Sequence, residues 1–397
     1  MCYDVVMYQR FTEKLFLKSV KTFPVVILTG ARQTGKSTLC KMLLEKTHQY
    51  VSLEDPDIRR QALEDPRTFL ENFPAPVIFD EIQYAPQLPS YIQGIVDAHR
   101  TRYGQYILTG SQNFLMMQHV SQSLAGRAAV LTLYPCSIRE VDGKKKLSHA
   151  QTDDIADWIL RGGYPELRSR PELDRNIWCA SYIRLYLERD IRQILNVTDL
   201  TLFERFLRLV AIRTGQILNM SDLARDTGIS VPTVRRWLSI LQASYQVYLL
   251  EPFHINLSKR LVKAPKIYFA DTALASYLMG IHDPAVLNQG LFLGPLFETA
   301  VVLEHLKWAS FSGEHPAFSY FRTNDGLEVD LFIETGGKIH AREIKTSRTL
   351  NPLLAAGLLK TEALLQRPLE KCLLAPVERA STITQDVILK PWHHVEW

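Results

Sequence analysis

Gly30-Ala31-Arg32-Gln33-Thr34-Gly35-Lys36-Ser37 is a complete G-x-x-x-x-G-K-[ST] loop, lying between the apolar run Pro24 to Thr29 and a helix-like stretch that begins at Lys36. Glycines at 30 and 35 let the backbone turn tightly, so that successive N–H groups point at one anion, and the following helix adds its positive N-terminal dipole. Lys36 is placed to reach the β- and γ-phosphates of a nucleotide, and Ser37 to put a hydroxyl on Mg²⁺. The nucleotide-binding set read from this stretch is Gly30, Ala31, Arg32, Gln33, Thr34, Gly35, Lys36, Ser37 and Thr38. A β-branched strand before the loop and a helix after it are the context the motif requires.

Downstream, Pro76 to Gln83 reads as a strand ending in paired carboxylates. Asp80 is expected to hold Mg²⁺ and Glu81 to orient the attacking water. A further strand, Tyr106 to Thr109, ends in Gly110-Ser111-Gln112, and Ser111 and Gln112 are candidates for sensing the γ-phosphate. Arg127 follows a glycine and precedes another apolar run, a placement that suits a guanidinium crossing to a nucleotide on a neighbouring subunit; Arg139 and Arg189 compete for that role. Alternating strands and helices imply a mostly parallel sheet with nucleotide at the C-terminal strand ends.

These marks, with Leu-Ala-Gly-Arg127, Gly162-Gly-Tyr-Pro-Glu166 and Tyr186-Leu-Glu-Arg-Asp-Ile191, resemble the AAA-type P-loop ATPases of bacteria and archaea that carry a long C-terminal region of unknown function. The resemblance spans essentially the whole chain. It implies hydrolysis of ATP with Mg²⁺ and a lid region in which Arg189 approaches the nucleotide. It does not imply what the hydrolysis drives.

At 397 residues the chain exceeds one ordinary core, and with 46% hydrophobic and 22% charged residues it is expected to fold throughout. Five scattered cysteines form neither a C-x-x-C pair nor a zinc spacing, which fits a reducing cytoplasm. The N-terminus lacks the pattern of a secretory signal, and the most apolar helical stretch is interrupted by Glu304, His305 and Lys307, so no membrane partner is expected. Net charge is +4, but residues 200–263 hold nine basic against four acidic side chains, which points to a polyanion partner.

Within that basic segment, residues 219–241 have the pattern of a helix-turn-helix. Ser221 is read as the first cap, Gly228 as the turn, Ser230 as the second cap and Pro232 as a first-turn proline. Leu223, Val234, Leu238 and Leu241 share one face. The second helix turns Thr233, Arg235 and Arg236 outward, and two β-like runs flank Lys259, Arg260 and Lys263, so these six residues are the expected DNA contacts of a winged helix.

The C-terminal part is read as a long helix containing Glu298, then strands at 317–322, 327–334 and 338–345. Residues two apart on a strand face the same side, so Glu343 and Lys345 fall together with Asp330 opposite. Two carboxylates and a lysine suit metal-dependent phosphodiester cleavage, with Glu298 as a third ligand. The arrangement resembles the restriction-endonuclease-like fold with its acid, variable gap and acid-x-Lys signature.

The expected architecture is therefore an α/β multidomain chain. Residues 1–141 form a parallel-sheet P-loop ATPase, 142–199 a helical lid region, 200–285 a winged helix and 286–397 a restriction-endonuclease-like α/β domain. The expected function is Mg²⁺-dependent ATP hydrolysis coupled to DNA binding, with cleavage or remodelling of branched DNA, in a homo-oligomer that could close as a ring. The alternative is a nucleotide-dependent regulatory or scaffold switch whose nuclease-like domain cuts nothing.

Overall fold

The computed structural model describes residues 7–111, 123–143, 152–186, 200–253 and 262–397. The expected roles of Gln112, Arg189, Lys259 and Arg260 fall outside these residues. Three sheets organise the described residues.

The first is entirely parallel, with strands β1 (Val25–Thr29), β2 (Gln49–Ser52), β3 (Val77–Asp80), β4 (Tyr106–Gly110) and β5 (Ala128–Thr132) in the order β2-β3-β4-β1-β5. Every residue of β1 is buried, as suits a central strand covered on both faces. The covering helices are α1 (Thr12–Val20), α2 (Lys36–Leu44), α3 (Pro56–Glu64), α4 (Pro66–Asn72) and α5 (Leu88–Ala98). Val25, Ile27, Val77 and Phe79 pack on one side of the sheet, and Val26, Leu28 and Ile78 on the other with Phe16 and Leu39.

A short helix, α6 (Ile138–Asp142), leads into α7 (Thr152–Arg161), α8 (Pro165–Ser169), α9 (Arg175–Tyr186) and α10 (Leu200–Ile212). Next come β6 (Gln216–Ile217), α11 (Met220–Thr227), α12 (Val231–Ala243), β7 (Val247–Leu250) and β8 (Lys266–Phe269), with the antiparallel strand order β6-β8-β7. This is a helix-turn-helix with a small sheet. Gly228 ends α11 in the left-handed region, and Ser230 caps α12 by accepting from the Thr233 N–H. The cap of α11, however, is Asn219 rather than Ser221. The Asn219 amide oxygen accepts from the Ser221 and Asp222 N–H groups at 3.0 and 3.2 Å, so Ser221 already lies inside the first turn.

Helices α13 (Thr272–Leu278), α14 (Pro284–Gln289) and the 20-residue α15 (Leu293–Ser312) connect to the third sheet. Its strands are β9 (Ala317–Arg322), β10 (Glu328–Thr335), β11 (Lys338–Ile344), β12 (Glu370–Ala375), β13 (Ser381–Thr384) and β14 (Val387–Pro391), ordered β13-β14-β12-β11-β10-β9. The β9-β10-β11 meander is antiparallel, whereas β12 joins β11 in parallel after helix α16 (Ala356–Leu365). Helix α16 covers one face of the sheet through Leu358 and Leu365.

The other face belongs to a larger core. Leu331, Ile333, Ile344 and Leu374 of this sheet pack in the same cluster as Val301 of α15, Phe206 of α10, Leu238 of α12 and Ile159 of α7. Helix α7, the helix-turn-helix and the C-terminal sheet thus share one hydrophobic interior, with α15 running through it. The helical middle is also joined to the ATPase sheet. Tyr245, just after α12, has φ +58° and places its hydroxyl 2.6 Å from Thr29 Oγ1, the last side chain of β1, while its ring meets Tyr134 edge to face.

Candidate active site and its relatives

The phosphate loop begins where β1 ends. Gly30 has φ +140°, and a Cβ there would lie 2.1 Å from the Leu133 carbonyl oxygen, so only glycine allows the loop to pass against the neighbouring chain. Gly35, at φ +94°, delivers the chain into α2. Lys36 is buried and donates to the carbonyls of Gly30 and Ala31 at 3.0 and 2.8 Å, folding its ammonium back under the loop. Burial pushes its amine downward from the ordinary lysine range, while Glu81 and Asp80 oppose that shift.

Asp80, at the tip of β3, collects three hydroxyls. Ser37 Oγ donates to its two carboxylate oxygens at 3.0 and 2.7 Å, and Tyr50 and Thr109 donate from the flanking strands. Burial and the Asp80 charge raise the Tyr50 phenol well above its ordinary range, which keeps it a donor. A hydroxyl and a carboxylate in direct contact are a hard oxygen pair suited to Mg²⁺. Ser37 and Asp80 would hold the ion, and it would supply charge neutralisation at the phosphates.

Glu81 adopts a left-handed conformation at φ +56° and turns its carboxylate toward Ser111, which donates to it at 3.2 Å, and Gln83, which also donates to it. Left-handed backbone at a non-glycine residue costs roughly 1–3 kcal/mol and tends to mark a functional site. Glu81 and Ser111, expected separately as water-directing acid and γ-phosphate sensor, thus lie in contact. Tyr50, Gln83 and Thr109 were not singled out in the sequence because each acts from a different strand or turn.

Beside the loop lies a cleft of about 380 Å³, walled by Met7, Tyr8, Thr38 and Met42, by Pro165 of α8 and by Arg170 just after that helix. Its apolar walls and adjacency to Gly35 suit a nucleobase and ribose. The segment ahead of α1, which carries no motif, supplies Met7 and Tyr8 to this wall.

Arg127 does not approach this site. It precedes β5, and its carbonyl accepts from the N–H of Val25, the first residue of β1. In a parallel sheet that is the edge opposite the loop, about 13 Å away along β1 at 3.3 Å per residue. Its guanidinium is committed to Asp97 through bonds of 2.7 and 2.8 Å, which hold that carboxyl down at about 2. Within one subunit Arg127 is thus a clasp between β5 and α5, and the nucleotide role expected of it is one it would fill only across a subunit boundary. Arg139 pairs with Glu396 near the C-terminus.

At the third sheet the expected residues come together, but not as a metal set. Lys345 Nζ lies 2.6 Å from Glu343, and Asp330 accepts the Ile344 N–H at 2.8 Å. Glu298 faces the same acids, yet a lysine stands among them. Lys266 of β8 places its ammonium 2.9 Å from Glu298, 2.5 Å from Glu328 and 3.7 Å from Asp330, and Tyr268 donates to Glu298 at 2.6 Å. Among the described residues no three acidic, histidine or cysteine groups are placed to hold a metal. Of the expected ligands, Glu298 and Asp330 face the Lys266 ammonium, and Glu343 is paired with Lys345. Burial, then the Asp330 charge, raises Glu298 to about 7 and Glu343 to about 8. Lys266 is raised by Glu298, Asp330 and Glu328 against the lowering effect of burial.

Of the expected DNA contacts, Arg235 and Arg236 are exposed on α12 and Lys263 is exposed before β8. Thr233 is half-buried, its hydroxyl 2.8 Å from that of Ser230 at the helix cap.

A parallel sheet with this loop at the end of an interior strand, a buried loop lysine and a Ser–Asp pair define a P-loop ATPase domain. In agreement, residues 22–142 match the AAA domain family, residues 152–285 a domain of unknown function (DUF8612) and residues 293–395 another (DUF4143). The uncharacterized proteins Mb2031c of Mycobacterium bovis and Rv2008c of Mycobacterium tuberculosis are each 30% identical over 326 residues, covering 82% of this chain and 71% of theirs. The chain belongs to the same family as these mycobacterial proteins. Among solved structures, the Walker-type ATPase of Pyrococcus abyssi is similar over 68% of this chain and 96% of its own, at 16% identity and a TM-score of 0.47.

Proposed function

We propose that the chain is a Mg²⁺-dependent ATP hydrolase whose nucleotide cycle governs DNA contacts made through α12, and whose C-terminal sheet binds a partner without cutting it. Lys36, Ser37 and Asp80 hold nucleotide and ion, and Glu81, steered by Ser111 and Gln83, directs the attacking water. Support for the DNA part comes from the exposed Arg235 and Arg236 on the second helix of the helix-turn-helix. The observation that carries the non-cleaving part is Lys266, whose ammonium stands among the acids that hydrolysis would need for metal.

A second reading, metal-dependent cleavage of linear or branched DNA, is favoured by one feature. Glu343 and Lys345 are paired beside Asp330, in the acid-x-Lys relation that such chemistry uses. It requires Lys266 to leave the acids.

One assay separates the readings. Full-length protein is incubated with Mg²⁺ and ATP on linear, single-stranded and four-way branched DNA, beside Lys36→Ala and Asp330→Ala variants. Expected are ATP turnover that Lys36→Ala abolishes, DNA retention, and no nicks above those left by Asp330→Ala. Nicking that Asp330→Ala abolishes would establish the cleavage reading, and turnover surviving Lys36→Ala would remove the catalytic assignment. The oligomer expected from the sequence is checked by light scattering with and without ATP.

A further inference from the structure

Arg10 lies ahead of the first helix and outside every motif, yet it is only 6% exposed and reaches the phosphate loop. Its Nη1 donates to the Thr34 carbonyl at 2.8 Å, its Nη2 to the Tyr134 carbonyl at 2.6 Å, and its Nε to Glu140 Oε1 at 3.1 Å. Glu140 is itself fixed, because its Oε1 accepts the Phe11 N–H at 2.7 Å and its Oε2 the Ser137 N–H at 2.8 Å. The guanidinium is thus a rigid post between α6, the end of β5 and the loop.

The Thr34 carbonyl and the Gly35 N–H belong to one peptide unit, and in a trans peptide they point in opposite directions. Holding the carbonyl outward therefore aims the Gly35 N–H inward, toward the phosphate position. Gly35 sits at φ +94°, where glycine lets the adjoining peptide rotate at little cost, so something outside the loop must fix that plane. Thr34 Oγ1 also donates to the Ala31 carbonyl at 3.0 Å, but the bonds of Lys36 to the Gly30 and Ala31 carbonyls must be released when the ammonium turns to the phosphates, and neither acts on the Thr34 carbonyl.

We propose that Arg10 is the positioning residue of the phosphate loop, keeping the Gly35 peptide oriented for the β-phosphate after Lys36 has left the loop carbonyls. This rests on the reading of the loop as the ATP site, which wild-type turnover in the same assay tests separately.

The test is steady-state ATP hydrolysis and equilibrium binding of ATP, ADP and AMP by wild type, Arg10→Gln and Arg10→Lys. Losing a charge-assisted bond raises KM for ATP in Arg10→Gln by roughly tenfold or more, with kcat at saturation within about threefold of wild type. Arg10→Lys, which keeps the charge but not the fork, shows a smaller rise and serves alone if Arg10→Gln does not fold. ATP and ADP weaken by the same factor, while AMP, which lacks the β-phosphate, binds as to wild type. An unchanged KM with kcat falling in step with the folded fraction would reduce Arg10 to a structural residue and overturn the proposal. So would equal weakening of AMP, since the effect would then belong to the neighbouring cleft.

Discussion

Lys266 and Glu298 are joined by a 2.9 Å ion pair that links the small antiparallel sheet to the long helix beside the C-terminal sheet. The lysine side chain is 3% exposed, so the pair is shielded from water and its partners depend on one another. Removing the cation should leave Glu298, Glu328 and Asp330 facing each other. Lys266→Met is expected to destabilise the protein by about 3–5 kcal/mol, as for other buried pairs broken on one side. Added Mg²⁺ or Ca²⁺ should raise the melting temperature of this variant and leave wild type unchanged. A variant indifferent to divalent ions would remove the view that the lysine stands where a cation could.

The same acids set a pH dependence. Glu343, raised to about 8 by burial and then by the Asp330 charge, keeps its proton in the folded chain over a range where an unfolded glutamate, at 4.5, has lost it. Its contribution is complete below about pH 4.5 and declines as pH rises through about 8. Melting temperature followed from pH 5 to 9 should therefore fall less steeply in Glu343→Gln than in wild type. Parallel curves would show that Glu343 titrates normally.

Arg127→Ala is expected to hydrolyse ATP within about twofold of wild type, because its guanidinium is spent on Asp97 at the far edge of the sheet. A loss on the scale of an arginine finger, about a thousandfold, would restore the role inferred from the sequence through a neighbouring subunit.

Arg235→Ala and Arg236→Ala should weaken binding to all DNA sequences alike. Each should lower the slope of log affinity against log salt by about one, the signature of a lost phosphate contact. Titrations at several salt concentrations decide it, and unchanged slopes would move the DNA surface elsewhere.

Local chemistry was legible in the sequence, and convergence was not. The phosphate loop, the acid pair at Asp80 and Glu81, the turn at Gly228 and the acid-x-Lys strand all lie within short windows where spacing reports geometry. Strands β9 to β11 stand close to their expected bounds for the same reason. Lys266 was invisible in its role because its partners are Glu298, Glu328 and Asp330, far along the chain on other elements. Arg10 meets Thr34, Tyr134 and Glu140 in the same way. The place of Arg127 was not legible either, because a glycine before a strand fixes local conformation but not which end of the sheet that strand enters. Parallel register decides the end, and it places Ala128 beside Val25.

The bond between Thr29 and Tyr245 bears on how the chain can be handled as parts. A fragment ending near residue 142 would keep the phosphate loop but lose the phenol against its last strand residue and the ring against Tyr134. The nucleotide unit is thus not an interchangeable cassette. A graft onto another effector must bring its own counterpart of Tyr245, and homologous exchange between relatives should succeed best when the crossover leaves that tyrosine with its own β1.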